Sequence, residues 1–178
     1  LAAGSDNIVS GTGTLTVTGQ AVLNQGSIAP VLAGSMNLIK QTAAQTTTLS
    51  NAANSYTGFT HVQNGTLSIA TVANAGMASS LGAATGVNAV ILLGNGTTTG
   101  ALAITGAAGS TNRAIDLAGT TGGGIIDNDG TAALILNGTV SSTTYGAKTL
   151  TLAGASTGFN NVVNGNITNG FGTVGVTK

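Results

Sequence analysis

Short runs of alternating apolar and polar residues follow one another along the chain, and most are closed by glycine, asparagine or serine. In the clearest run, residues 12–19, Leu15 and Val17 fall on one side and threonines on the other. A period of two is typical of half-buried β-strands. We find no long stretch with helical periodicity, and residues 72–81 are the best candidate for a short helix or an irregular excursion. The pattern therefore predicts an all-β chain. The later runs are residues 89–94, 101–106, 114–119, 124–127, 133–138 and 149–154.

One stretch, residues 47–67, recurs in degenerate form at residues 149–168. Thr57-Gly58-Phe59 returns as Thr157-Gly158-Phe159, and Asn64-Gly65 returns as Asn164-Gly165. A short unit that recurs with loops of variable length is typical of a solenoid. A β-sandwich is the alternative, but sandwich cores usually contain larger side chains than a chain with 3% aromatic residues can supply. We predict one elongated β-solenoid over residues 1–178, with about 20 residues per turn and about eight or nine turns.

Composition narrows the classes of function. Charged residues make up 4% of the chain and the formal net charge is +0, whereas nucleic-acid binding requires many basic residues. The hydrophobic fraction of 42% argues against disorder. There is no cysteine and no apolar run long enough to span a membrane. The chain starts without an initiator methionine or a signal peptide, so we expect a segment or processed form of a larger protein.

The first repeat resembles a known family. Thr48-Leu49-Ser50-Asn51, Asn54-Ser55-Tyr56-Thr57-Gly58 and Val62-Gln63-Asn64-Gly65-Thr66-Leu67 resemble the passenger-associated repeat of bacterial autotransporters. Residues 113–117 and 123–130 are similar to the turns between repeats in those proteins, and the second copy lacks the N-x-Y element. The resemblance implies a right-handed parallel β-helix that is secreted and held at, or released from, a bacterial cell surface. It implies no shared catalytic residues.

The sequence predicts no catalytic, cofactor-binding or metal-binding residue. The best enzyme-like set is Asp116 with Asp127 and Arg113, as paired carboxylates near a base could cleave a polysaccharide. We expect instead a local ion pair between Arg113 and Asp116, and no enzyme. Asp127-Asn128-Asp129-Gly130 begins like a calcium loop, but no acidic residue follows Asp129, so a surface turn is expected. The single histidine, His61, is expected to be exposed or packed against a neighbouring turn.

Three further patterns have a structural and a functional interpretation. Asn-Gly-Thr at Asn64, Asn95 and Asn137 fits the sequon for glycosylation, and so does Asn166-Ile167-Thr168. Asn-Gly is, however, primarily a signal for a tight turn, and asparagine side chains can form ladders between successive coils of a solenoid. Residues 122–124 are three glycines without the other parts of a phosphate loop, which favours a corner. Threonine pairs at 14, 16 and 18 and at 149 and 151 could form an ice-binding array, although exposed strand faces commonly carry threonine.

The ends of the chain suggest the partners. Neither residues 1–10 nor residues 170–178 resemble the cap that covers the last strand of a natural solenoid, and residues 172–177 predict a strand. Either the chain continues in a longer protein, or copies stack head to tail into a fibre. We therefore predict a structural subunit or segment of an extracellular bacterial filament at the cell surface. The alternative is a monomeric adhesin passenger that binds host or matrix ligands. No cofactor is predicted.

Overall fold

The structure, a computed structural model, describes residues 7–156 and 158–178. Within these residues the regular structure is β-strand, as the alternating pattern predicts, apart from a 3-10 turn at Gly86–Asn88. The strands are short because glycine and asparagine turns end the apolar runs. In chain order they are β1 (Asn7–Val9), β2 (Thr14–Thr16), β3 (Gln20–Leu23), β4 (Gly26–Ile28), β5 (Val31–Ala33), β6 (Asn37–Lys40), β7 (Thr46–Leu49), β8 (Thr60–Val62), β9 (Gly65–Thr71), β10 (Val90–Leu93), β11 (Gly100–Thr111), β12 (Ala114–Leu117), β13 (Gly124–Asn128), β14 (Leu134–Leu136), β15 (Val140–Ser141), β16 (Ala147–Ala153), β17 (Val162–Val163) and β18 (Thr173–Thr177).

Two parallel sheets contain most of the described strands. The larger sheet has ten strands with the main order β1-β4-β7-β9-β11-β13-β16-β18, and β14 pairs with both β11 and β17. The second sheet has the order β3-β6-β8-β10-β12-β15, and β2 pairs with β5 separately. Neighbouring strands of each sheet follow one another along the chain, which passes repeatedly from one sheet to the other. We call one such passage through both sheets a circuit. Neither sheet closes on itself, and the arrangement is compatible with a stack of circuits.

Aliphatic side chains at equivalent positions of successive strands form columns in the interior. Leu67 pairs with Leu102, which pairs with Ile126, and all three side chains are at most 3% exposed. Strands stacked about 4.8 Å apart bring such side chains into contact, and burial of each contributes about 1.5–3 kcal/mol. Leu15 and Val17 pack half-buried against the same core, which confirms the inward face predicted for that run.

The polar residues of the repeat at 47–67 connect circuits through the interior. Asn54 is 1% exposed, and its Oδ1 accepts a hydrogen bond from the Leu32 N–H at 2.9 Å. Its Nδ2 donates to the Ser80 carbonyl at 3.0 Å. Tyr56 is completely buried, with its hydroxyl 2.7 Å from Thr60 Oγ1. The N-x-Y element therefore stabilises the stack, because it satisfies backbone groups of the circuits on either side.

Two glycines of the same repeat are required by close approaches of the backbone. A Cβ atom at Gly58 would lie 2.1 Å from the Met36 carbonyl oxygen, and one at Gly65 would lie 2.2 Å from the Thr42 carbonyl oxygen. Gly65 also has a φ of +70°, a conformation that favours glycine. The Thr-Gly and Asn-Gly elements thus form corners. In the second copy, Thr157 lies outside the described residues.

Residues 72–81 form an irregular excursion and no α-helix, which confirms the second of the two expectations for this segment. The excursion lengthens the circuit that contains it: Gly65 pairs with Gly100, 35 positions on, whereas Gly26 pairs with Thr47, 21 positions on. The next circuit, from Gly100 to Gly124, takes 24 residues. The expected spacing of about 20 residues therefore holds only before the excursion.

The C-terminal strand predicted at residues 172–177 is β18, which pairs with β16 in parallel. Large apolar side chains near it are exposed: Val162 by 36%, Ile167 by 38% and Val176 by 50%. Of the N-terminal segment predicted to lack a cap, residues 1–6 lie outside the described residues.

Candidate functional site

The structure does not bring the enzyme-like residues together. Asp116 lies on β12 in the six-stranded sheet and Asp127 on β13 in the ten-stranded sheet. The Asp116 carboxylate accepts hydrogen bonds from the N–H and the hydroxyl of Thr143. The Arg113 guanidinium donates instead to the carbonyls of Leu81 at 2.8 Å and Gly82 at 2.7 Å. The expected ion pair between Arg113 and Asp116 is therefore wrong, because the arginine turns inward to fix the excursion.

In the Asp127-Asn128-Asp129-Gly130 segment, Asp127 and Asn128 are the last residues of β13, and the chain bends from Gly130 onward. Asn128 Oδ1 accepts the Gly130 N–H at 3.2 Å, and Asp129 Oδ1 accepts the N–H of Ala155 at 2.7 Å. Burial, with a smaller effect from the neighbouring Asp129 charge, raises the pKa of Asp127. Within the described chain no group of three or more His, Cys, Asp or Glu residues lies close enough to hold a metal ion. Of the expected surface turn, a bend is present from Gly130 onward, whereas Asp127 and Asn128 continue β13 and Asn128 is buried.

His61 packs against the next circuit, one of the two positions expected for it. Its Nε2 lies 2.8 Å from the Gly94 carbonyl oxygen, so Nε2 carries the donated proton. Nδ1 is then an acceptor and lies 3.5 Å from Gln63 Nε2. Nε2 therefore joins His61 to the next circuit, whereas Nδ1 contacts a residue of the same circuit.

The Asn-Gly segments form turns and an asparagine ladder. Gly96, after Asn95, has a φ of +55°, and Asn95 bridges Thr98 across the turn. Asn164 Nδ2 donates to Asn137 Oδ1 at 2.9 Å, and Asn137 Nδ2 donates to Ser110 Oγ at 2.8 Å. The turn and the asparagine ladder that the sequence analysis expected are confirmed.

The triple glycine and the threonine runs also have structural places. A Cβ atom at Gly122 would lie 1.8 Å from the Thr98 carbonyl oxygen, so this corner admits no side chain. The threonines of β2 belong to the two-stranded sheet and those of β16 to the ten-stranded sheet. The two runs therefore do not form one continuous hydroxyl array.

Three of the four basic side chains are buried, which the sequence analysis did not predict. Lys40, Arg113 and Lys148 are 0%, 2% and 3% exposed. Lys40 Nζ donates to the carbonyls of Thr42 at 2.6 Å and Asn64 at 3.3 Å. Burial lowers the pKa of Lys40 to about 8. One signal was available: Lys40 stands two positions after the inward-facing Leu38, on the same face of its strand.

Burial of these cations leaves an almost neutral surface. Among the described residues, only Asp129 and Lys178 are exposed charged side chains, and Asp127 is half-buried. A polyanion such as nucleic acid gains its affinity from many surface cations, which this surface does not provide.

A cavity of about 260 Å³ opens near the C-terminal circuits. Two asparagines in its wall are hydrogen-bonded to each other, with Asn128 Nδ2 2.7 Å from Asn161 Oδ1, and the same oxygen accepts the Leu134 N–H. The Asn128 amide nitrogen and the Asn161 amide oxygen are therefore already partnered. The remaining wall is mainly aliphatic and consists of Ile126, Leu134, Leu136, Leu152, Ala153, Val162 and Val163, with Lys178 at its edge.

The most exposed aromatic surface is a pair that we call the aromatic corner, Tyr145 and Phe171. The two ring centroids are 5.8 Å apart and the ring planes are inclined by 46°. The side chains are 77% and 68% exposed. Tyr145 lies in the loop between β15 and β16, and Phe171 lies one circuit later, before β18. Nothing in the sequence pattern indicates the pair, because its members are 26 positions apart.

No helix in the described part of the chain is long and apolar enough to cross a membrane.

Comparison with known proteins finds a similarity to a bacterial autotransporter adhesin. It is 33% identical over 175 residues to the adhesin BmaC autotransporter of Brucella suis biovar 1 (strain 1330), an alignment that covers 97% of the chain. The chain spans about 5% of the length of that relative. No family model and no solved structure matches the chain. The chain is thus similar over nearly its whole length to a small part of an autotransporter adhesin, and no family model supports the passenger-associated repeat itself.

Proposed function

We propose that this chain is a segment of a bacterial surface adhesin of the autotransporter type, built as a right-handed parallel β-helix. Its role is to form a stiff stalk that carries ligand-binding surface outside the cell. The observation that carries the proposal is the similarity to an autotransporter adhesin along 97% of the chain. An extracellular, surface-exposed location follows from the same proposal.

The architecture supports this function. Parallel strands follow one another in sequence order in both sheets, and crossovers between parallel strands are right-handed in nearly all proteins. Hydrogen bonds such as those of Asn54 and His61 connect each circuit to its neighbours. A stack joined in this way resists bending, which suits a stalk. We propose no enzymatic role, since Asp116 and Asp127 lie in separate sheets.

Localisation on intact bacteria tests the proposal. Antibodies raised against the purified chain are applied to intact and to permeabilised cells of the source bacterium, before and after treatment with external protease. The expected result is labelling of intact cells that protease removes. Labelling restricted to permeabilised cells would overturn the surface location. In parallel, beads coated with the chain should attach to host cells or matrix more than beads coated with an unrelated protein of equal charge.

Head-to-tail assembly into a filament is a second candidate, favoured by a separate observation. Val162, Ile167 and Val176 are exposed in the C-terminal circuits, and β18 pairs only with β16 among the described strands. Exposed apolar side chains can pack against another copy of the chain. Negative-stain microscopy and sedimentation velocity over a range of concentrations distinguish the two functions. Isolated short rods support the adhesin segment, and fibres that lengthen with concentration support the filament.

A further inference from the structure

We propose that the aromatic corner, Tyr145 and Phe171, is a binding platform for an uncharged saccharide. This inference deepens the proposed function, on which its biological setting rests, by naming the class of ligand. It starts from the scarcity of aromatic residues: the chain has two tyrosines, three phenylalanines and no tryptophan. Two of these five lie side by side and exposed, although water contact costs such rings more than it costs the small residues that cover most of this surface.

The loops beneath the rings are fixed by a buried ammonium group. Lys148 Nζ donates to the carbonyls of Thr144 and Tyr145 at 2.8 Å each and to that of Gly146 at 3.2 Å. Three consecutive carbonyls of the Tyr145 loop therefore point toward one charge. Burial lowers the pKa of Lys148, and the nearby Asp116 opposes this shift. The lysine is thus an internal support and is not presented to a ligand.

Phe171 is held in register with Tyr145 by the backbone. Its N–H donates to the Ser142 carbonyl at 2.8 Å, and the Thr173 N–H donates to that of Gly146 at 3.1 Å. The intervening Gly172 is required, since a Cβ atom there would lie 2.4 Å from the Gly146 carbonyl oxygen. Both rings therefore project from a rigid support, so little conformational entropy is lost when a ligand binds.

The absence of exposed charged groups around the two rings favours an uncharged ligand. The charged groups near the corner, Lys148 and Asp116, are buried and hydrogen-bonded within the protein. The chain neighbours of the rings are threonine and glycine, and the exposed Thr143 and Thr173 each lie two positions from a ring. The Thr143 hydroxyl donates its proton to Asp116, so its oxygen remains available as an acceptor. Two apolar ring faces bordered by hydroxyls match a sugar ring, which presents an apolar C–H face and a rim of hydroxyl groups.

The size of the platform argues against a protein partner. A stable protein interface buries about 800 Å² on each side around an apolar centre, whereas two aromatic side chains can bury about 300–500 Å² at most. One or two sugar units fit that area. Because no surface charge takes part, binding should not depend on salt.

Saturation-transfer NMR with neutral oligosaccharides tests the inference. The probes are maltohexaose, cellohexaose, laminarihexaose and mannohexaose, with heparin as the polyanionic comparison. We expect at least one neutral probe to bind and to shift the ring protons of Tyr145 and Phe171, equally at low and high salt. Y145A and F171A should each weaken that binding roughly ten-fold, and Y145F should retain it. The matched control F159A removes an aromatic that is exposed by 44% elsewhere and should leave binding unchanged.

Several outcomes would overturn the saccharide platform: no binding of any neutral probe to the folded chain, equal loss of binding in F159A, or preference for heparin with loss at high salt. A protein ligand that is lost in Y145A while no sugar binds would also overturn it. Amide spectra of each variant verify that it is folded, and F171L offers a second, less disruptive removal of the ring. None of these results bears on surface labelling of intact cells, so the proposed function stands or fails separately.

Discussion

The replacement of Asn54 by alanine tests whether the repeat residues hold the circuits together. The change leaves two groups without partners in the interior, the N–H of Leu32 and the carbonyl of Ser80. A buried polar group that loses its partner costs about 1–3 kcal/mol, so we expect a loss of roughly 2–5 kcal/mol. This is a large part of the 5–15 kcal/mol that is typical of folded domains. Urea unfolding followed by far-ultraviolet circular dichroism measures the free energy of unfolding directly.

Asn51 provides a matched control in the same loop. It also makes two hydrogen bonds of 2.9 Å, to the Ala29 carbonyl and from the Ala53 N–H, but it is half-exposed. Water can replace both partners, so Asn51→Ala should cost about 1 kcal/mol or less. Asn54→Asp keeps an acceptor for Leu32 but turns a carboxylate oxygen toward the Ser80 carbonyl, and should destabilise the chain at least as much as alanine at neutral pH. Equal losses for Asn51→Ala and Asn54→Ala would refute the reasoning.

Three other predictions concern the interior. Gly58→Ala should destabilise the chain by about 2 kcal/mol or more, because the added methyl group meets a carbonyl oxygen at 2.1 Å; a neutral effect on urea unfolding would contradict this. Arg113→Met should lower the free energy of unfolding by about 2–4 kcal/mol, because it removes two buried charge-assisted hydrogen bonds. Amide hydrogen exchange should become fastest in residues 72–86, and unchanged exchange there would contradict the prediction. Stability should rise with pH from about 8 toward 10, because burial lowers the pKa of Lys40 to about 8 from about 10.4 in the unfolded chain, and Lys148 shifts in the same direction. Above about pH 10 stability should fall, because burial raises the pKa of Tyr56 to about 12, so that only the unfolded chain loses this proton. Lys40→Met should flatten the rise, and a rise of the same size in that variant would count against Lys40 as its cause.

The sequence predicts the local elements of this chain well because their causes are local. Alternation around Leu15 and Val17 places both against the core, and Asn-Gly at residues 64–65 and 95–96 forms turns with positive φ at the glycine. These properties depend on strand pleat and on backbone conformation. Neither requires knowledge of which strand is the neighbour.

Properties that depend on the neighbouring circuit are harder to predict. Arg113 stands three positions before Asp116, which favours an ion pair, but the excursion places two carbonyls where the guanidinium binds them instead. Tyr145 and Phe171 meet only because two corners have the same register. The number of residues in each circuit determines which side chains meet, and no local sequence pattern predicts that number.

The most direct test of the fold is whether its parallel strands stack one circuit above another in register. The chain has no cysteine, so two introduced cysteines can be labelled cleanly for double electron–electron resonance. Position 27 pairs with 48, and the column continues through 68, 103 and 127 to 153. At about 4.8 Å per strand, labels at 48 and 153 should lie about 19 Å apart and labels at 27 and 153 about 24 Å apart. A difference of about 5 Å between the two pairs is the result the stack predicts, and two unrelated or broadly distributed distances would contradict it.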